Sequence, residues 1–228
     1  MFEKLAKLEK IKSIFSKKKN KYIIFEGIDG SGKTTQLNKL LIYLNKDSMV
    51  QTLKRNEPTY SNLGKEIRSI LAGNYTETFN NYPENIKKQY LEELFILDRI
   101  HNIYDTDGII ERLKEYNIIQ DRSFLSNIAY QSYTDEDIHR LKEANKNMLK
   151  PDLVFYLDID IEIAFERLNK RNTTKDNFET KSELTRIKNN YEKILNDSEL
   201  NIPIIKIDAN QNQDEVFESI VKELEVLP

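Results

Sequence analysis

The run from Gly27 to Thr34, GIDGSGKT, matches the pattern G-x-x-x-x-G-K-[ST] without a mismatch. Residues of these types at this spacing cradle phosphate. Gly27, Gly30 and Gly32 permit a tight turn in which successive N–H groups converge on phosphate oxygens, helped by the positive end of the helix that follows. Lys33 adds a full charge at the β- and γ-phosphates, and Thr34 offers a hydroxyl to Mg²⁺. Ile28, Asp29, Ser31 and Thr35 complete the loop, whose implied ligand is Mg²⁺-bound ATP. The bland alternative is a glycine turn that binds nothing, and the strand and helix patterns on either side argue against it.

Such a loop serves kinases, GTPases and ATP-driven machines alike, so any acceptor has to be read elsewhere. Asp29 sits inside the loop, where a triphosphate would repel it. It therefore points to another hydroxylated ligand, unless it only caps the loop. Asp121 and Arg122 directly follow the apolar run NIIQ at 117, at the carboxyl end of a predicted strand, where open α/β sheets bind ligands. Arg122 can grip a phosphate bidentately and Asp121 can order waters on Mg²⁺; an exposed ion pair is the alternative.

The elements that must position these groups follow a regular grammar. KYIIFEG at 21, VQTL at 50, NIIQ at 117, LVFYLD at 153 and PIIKID at 203 are short strand-like runs separated by helical patterns. They predict an α/β fold with a five-stranded parallel sheet flanked by helices. A long helix is expected over 84–104, begun by Pro83 and carrying one wide apolar face of Ile86, Tyr90, Leu91, Leu94, Phe95, Leu97 and Ile100. Further helices are expected over 182–195 and 214–224.

Composition removes several classes of function. The 228 residues fit one domain better than two. Lys+Arg 35 and Asp+Glu 38 nearly cancel to a net charge of -3, so no global field favours nucleic acid. With no cysteine, disulfides and thiolate chemistry are excluded, and two histidines argue against a multi-histidine metal site. The longest apolar runs reach about six residues, against the roughly 18 that a spanning helix needs. A soluble protein of the reducing cytoplasm is expected, with no membrane span.

Residues 1–21 carry eight lysines against Glu3 and Glu9, with apolar residues at roughly helical spacing. The chain therefore divides into a lysine-rich amphipathic extension, 1–20, and a single domain, 21–228. The extension fits neither a signal nor a transit peptide and reads as a solvated helix beside the domain, with membrane-surface contact the lesser alternative.

YIIFEGIDGSGKTTQ at 22, EP at Glu57, DR at Asp121 and PDLVFYLD at 151, in this order from about Tyr22 to the C-terminus, closely resemble the thymidylate kinase family. The resemblance implies the P-loop NTPase fold with a short lid over about 171–179, a homodimer, and dTMP as the acceptor of the ATP γ-phosphoryl group. It also implies roles for matched positions. Phe95 would stack on thymine and Arg99, one turn later, would bond the base edge. Asn127 and Gln131 in SFLSNIAYQ at 123 would also bond thymine, and Tyr130 would crowd out a ribose 2′-hydroxyl. Asp29 would meet the 3′-hydroxyl, Arg68 and Arg122 the acceptor phosphate, and Glu57 would support that cluster. Read without the family, Phe95 and Tyr130 would be core residues.

Two departures stand out. Some members carry an arginine in the phosphate loop, where this chain has Gly30 and Ser31. The compensating lid arginine is also missing, because RNTTKDNFE at 171 has Asn177 at its expected place. Arg171 and Lys175 are left as candidates to neutralise transition-state charge. The sequence DRS followed by Phe124 also resembles deoxynucleoside kinases, the second reading; an ATP-driven switch is the third. Arg68 and Arg122 together favour an acceptor that already bears phosphate. Such an acceptor is ionised at neutral pH and needs alignment rather than a general base.

Overall fold

A computed structural model of the chain describes residues 20–46, 50–170 and 180–225. The lysine-rich extension and the lid with Arg171, Lys175 and Asn177 lie outside the described residues, apart from Asn20.

Among the described residues, five parallel strands form one sheet in the order β2-β3-β1-β4-β5. The strands are β1 (Tyr22–Glu26), β2 (Thr52–Asn56), β3 (Asn117–Asp121), β4 (Leu153–Asp158) and β5 (Ile204–Asp208). Every residue of β1 and β3 is buried, as the apolar runs require of strands covered on both faces. All five predicted strands are present; β2 starts at Thr52, two residues into VQTL, and β3 extends to include Asp121.

Helices α1 (Lys33–Leu44), α2 (Asn62–Leu71), α3 (Glu77–Asn80), α4 (Glu84–Tyr104) and α5 (Ile109–Arg112) alternate with the first three strands. Then follow α6 (Phe124–Gln131), α7 (Asp135–Asn145), α8 (Ile161–Asn169), α9 (Lys181–Leu195) and α10 (Gln213–Glu225). The core packs Ile24, Phe25, Leu37, Leu40, Ile119 and Phe155 between sheet and helices. A second cluster of Ile67, Ile70, Phe79 and Leu94 joins α2 and α3 to α4.

The bounds of α4 fall where the pattern predicts, but its faces do not. Leu94 is buried, whereas Leu97 is 46% and Ile100 37% exposed, and the other buried positions include Glu92, Asp98 and Arg99. One wide apolar face is therefore replaced by a buried polar stripe. The side of α4 turned inward borders a cavity, and burial of its charged groups is sustained by partners rather than by hydrophobicity.

The register places the functional ends together. Phe25 pairs with both Asp121 and Phe155, and Asn56 pairs with Asp121, so the carboxyl ends of β1, β2, β3 and β4 form one edge. No helix among the described residues is long and apolar enough to cross a membrane.

Candidate active site

The glycine loop leaves β1 and enters α1. Gly27, Gly30 and Gly32 all have positive φ, at 144°, 84° and 94°. At Gly30 a Cβ would come 2.5 Å from the Ala164 carbonyl oxygen, so the loop lies against α8 too closely for any side chain there. An arginine at position 30 is sterically barred in this arrangement. Ile28 contributes backbone alone, its side chain being 1% exposed in the core, and the Ser31 side chain is likewise turned inward.

Lys33 folds back over the loop, donating Nζ to the carbonyl oxygens of Gly27 and Ile28, each at 2.9 Å. Burial lowers its pKa to about 8, with the Arg122 charge pushing the same way and Asp29 and Asp121 opposing. Thr34 donates its hydroxyl to Asp121 Oδ2 at 2.5 Å, which joins the start of α1 to the end of β3. A hydroxyl and a carboxylate thus stand side by side next to the phosphate loop. They fit a Mg²⁺ ion that takes most of its ligands from water and phosphate. No cluster of three or more acidic, histidine or cysteine side chains among the described residues competes with that pair.

Arg122 leaves β3 with φ 68°, a conformation that L side chains adopt at a cost of order 1–3 kcal/mol. Its backbone N–H is held by the Phe25 carbonyl at 3.0 Å. The guanidinium donates Nη1 to Ser126 Oγ at 3.1 Å and Nη2 to Asp29 and to the Tyr130 hydroxyl, and it stacks on the Tyr130 ring. Tyr130 also donates to Asp29 Oδ2 at 3.0 Å. Asp29 is therefore bound towards α6, although its Oδ1 still lies 4.0 Å from Lys33 Nζ.

Two cavities meet along this line of charge. One, of about 260 Å³, is lined by Asp29, Gly30, Gly32, Lys33, Thr34, Thr35, Arg68, Asp121 and Arg122. The other, of about 250 Å³, is lined by Asp29, Glu57, Arg68, Phe95, Arg99, Arg122, Asn127, Tyr130 and Gln131, with Leu71 closing it. The structure thus brings together every described residue read from the sequence as facing the acceptor. Asp29, Glu57, Arg68 and Arg122 border both spaces.

The walls of the second cavity are stiff. Arg99 is 2% exposed; it donates Nε to Glu57 at 2.9 Å and Nη1 to Asn145 at 2.6 Å. Burial raises the Glu57 carboxyl above its ordinary pKa, with Arg99 pulling it back. Arg68 donates to the carbonyls of Pro58 and Thr59, and Asp98 accepts from Thr59 and Ser61, which fixes the same loop from α4. Asn127 Nδ2 is buried without a hydrogen-bond partner among the described residues. A ligand acceptor at that wall would relieve the cost of an unmade bond.

Several contributors escaped the sequence reading. Asn145 and Asp98 had no local signal, being polar residues on helices whose role appears only when distant segments meet. Glu26 could have been noticed: it is a charge at the end of an otherwise apolar strand, and it is wholly buried.

Comparison with known proteins agrees with this geometry. The family model described as thymidylate kinase matches residues 25–220. A thymidylate kinase of Leptospira interrogans is 36% identical over 211 residues, covering 90% of this chain and 94% of that protein. A probable thymidylate kinase of Methanocaldococcus jannaschii is 38% identical over 209 residues, covering 92% and 98%. The solved structure of a thymidylate kinase from Candida albicans, 22% identical, superposes with a TM-score of 0.67 over 91% of this chain and 92% of that one, and so shares the fold. With a loop of this design, two joined cavities and a family match over most of its length, the chain belongs to the thymidylate kinase family.

Proposed function

We propose that the chain transfers the γ-phosphoryl group of ATP to dTMP, giving dTDP and ADP, and so feeds dTTP supply for DNA synthesis. The observation that carries this reading is the pair of joined cavities, one lined by the glycine loop and Lys33 and one suited to a base and sugar, with Arg68 and Arg122 on their common border. Two guanidinium groups there suit an acceptor that already carries phosphate better than a bare nucleoside.

ATP is held by the loop from Gly27 to Thr35, with Lys33 at the β- and γ-phosphates. Thr34 would hold Mg²⁺, with Asp121 ordering its waters, and the ion would supply charge neutralisation at the phosphates. In the second cavity Phe95 stacks on thymine, while Arg99, Asn127 and Gln131 bond its polar edge. Asp29 and Tyr130 border the sugar; Arg68 and Arg122 hold the acceptor phosphate, with Glu57 keeping Arg99 in place. Lys33 and Arg122 draw two repelling anions into line, and Arg171 or Lys175 from the lid completes the charge balance. Closure of that lid excludes water.

A homodimer belongs to the same reading. Leu97, Ile100 and Tyr104 form an exposed apolar stripe on α4 at spacings of three and four residues, suited to a second copy of the helix. A cytoplasmic location, where nucleotide pools lie, is also part of it.

ATP consumption measured with dTMP, with thymidine and with neither tests the proposal. Strong stimulation by dTMP is expected. Stimulation by thymidine instead would indicate a deoxynucleoside kinase, and turnover indifferent to every monophosphate would indicate an ATP-driven switch.

A further inference from the structure

Glu26 closes β1, immediately before Gly27, and is 0% exposed. Its Oε1 accepts from Ser123 Oγ at 2.7 Å; its Oε2 accepts from Ser126 Oγ at 2.6 Å and from the Tyr191 hydroxyl at 2.7 Å. Among the described residues no cation lies within ion-pair distance of it. A buried carboxylate without a counter-ion is expensive to keep, and three hydroxyl donors are what make it tolerable. Such a group needs a reason, and it does not line either cavity.

Ser126 supplies the reason. A hydroxyl has one proton and two lone pairs, and committing the proton to Glu26 leaves the lone pairs as acceptors. One of them takes Arg122 Nη1 at 3.1 Å, and the Tyr191 hydroxyl lies 2.8 Å from the same oxygen. The other amino group of Arg122 is held by Asp29 and Tyr130, which border the space proposed for the acceptor sugar. Ser126 also lines that cavity, but of the three holds on Arg122 it is the one bonded in turn to Glu26, a group outside both cavities.

We propose that Glu26 is a positioning residue for phosphoryl transfer: through Ser126 it aims the Arg122 guanidinium at the acceptor phosphate, and it touches neither nucleotide. This rests on the assignment of Arg122 to the acceptor phosphate. Removing the hydroxyl leaves the guanidinium held from one side only. Removing the carboxylate's charge frees the Ser126 proton to turn toward Arg122, where it opposes the donor.

The test compares Ser126→Ala, Ser126→Thr, Glu26→Gln and Tyr191→Phe by steady-state kinetics, melting temperature and the ¹⁵N NMR signal of the Arg122 Nε–H, assigned by its loss in Arg122→Lys. Ser126→Ala and Glu26→Gln are expected to raise KM for dTMP about tenfold, with KM for ATP nearly unchanged, and to shift the Arg122 signal. Ser126→Thr, which keeps the hydroxyl, restores most of the loss. Tyr191→Phe removes a hydroxyl from Glu26 and from Ser126 Oγ, 2.8 Å away, but keeps the Glu26–Ser126–Arg122 path, so it is expected to lower the melting temperature while moving KM for dTMP much less than Ser126→Ala. Should Ser126→Ala and Glu26→Gln only lower the melting temperature, with KM and the Arg122 signal unmoved, Glu26 is a structural residue and the proposal is overturned. If the wild-type protein phosphorylates no monophosphate, the functional reading fails separately, and the Arg122 signal still decides the relay: shifted in both variants it stands, unmoved it falls.

Discussion

Arg99 and Glu57, 42 positions apart, face each other with 2.9 Å between Nε and Oε2, both nearly sealed from solvent. The pair binds α4 to the loop after β2 and forms one wall of the acceptor cavity. Breaking such a pair from one side strands a buried charge, at about 3–5 kcal/mol. Glu57→Ala is therefore expected to lose that much stability in denaturant unfolding. Replacing both members with leucine is expected to regain most of the stability and none of the affinity for dTMP. If the double variant binds dTMP normally, the pair serves packing alone.

The pH dependence follows from Lys33. With its folded pKa lowered to about 8 from an ordinary 10.5, the unfolded chain binds more protons between those values, so this group's contribution to stability rises with pH across that window. Activity runs the opposite way, because only the charged ammonium serves the phosphates. The value of kcat/KM for ATP is expected to fall as pH rises through about 8, while the fall in kcat moves to higher pH, since bound triphosphate favours the charged form. A kcat/KM profile that stays flat through that window would contradict the assignment.

Phe95 is half-buried on the wall of the second cavity. Stacking on a base contributes about 1–3 kcal/mol, so Phe95→Ala is expected to raise KM for dTMP by about 5- to 150-fold. KM for ATP and the melting temperature should change little. A large loss of stability with unchanged KM would return Phe95 to the core.

For the lid, a cation at the transferring phosphoryl group is expected to matter in turnover rather than in binding. Alanine at Arg171 or at Lys175 is expected to lower kcat by about 10³ or more in whichever variant loses that cation. Equal, undiminished turnover in both variants removes both residues from the reaction.

The loop, the five strands and the ends of α4 were legible in the sequence because each depends on neighbours in the chain: glycine spacing, apolar runs, a proline before a helical period. The placement of Asp121 and Arg122 at a strand end was legible for the same reason. The pattern misled at α4, where apolar spacing suggested a hydrophobic face and the buried positions include Glu92, Asp98 and Arg99. Periodicity reports which residues share a side of a helix, not what stands opposite them.

By itself, then, the sequence determined that this chain folds as an α/β unit around a phosphate loop, and its resemblances named the acceptor residues. Only the tertiary structure decided how those residues are held. Arg122 takes a left-handed backbone between Asp29 and Ser126, Thr34 meets Asp121 across 87 positions, and Glu26 lies sealed beneath three hydroxyls. The physical reason is that a buried charge is tolerable only when its partners converge from several elements, and that convergence is set by the packing of the sheet and helices, which no local pattern records.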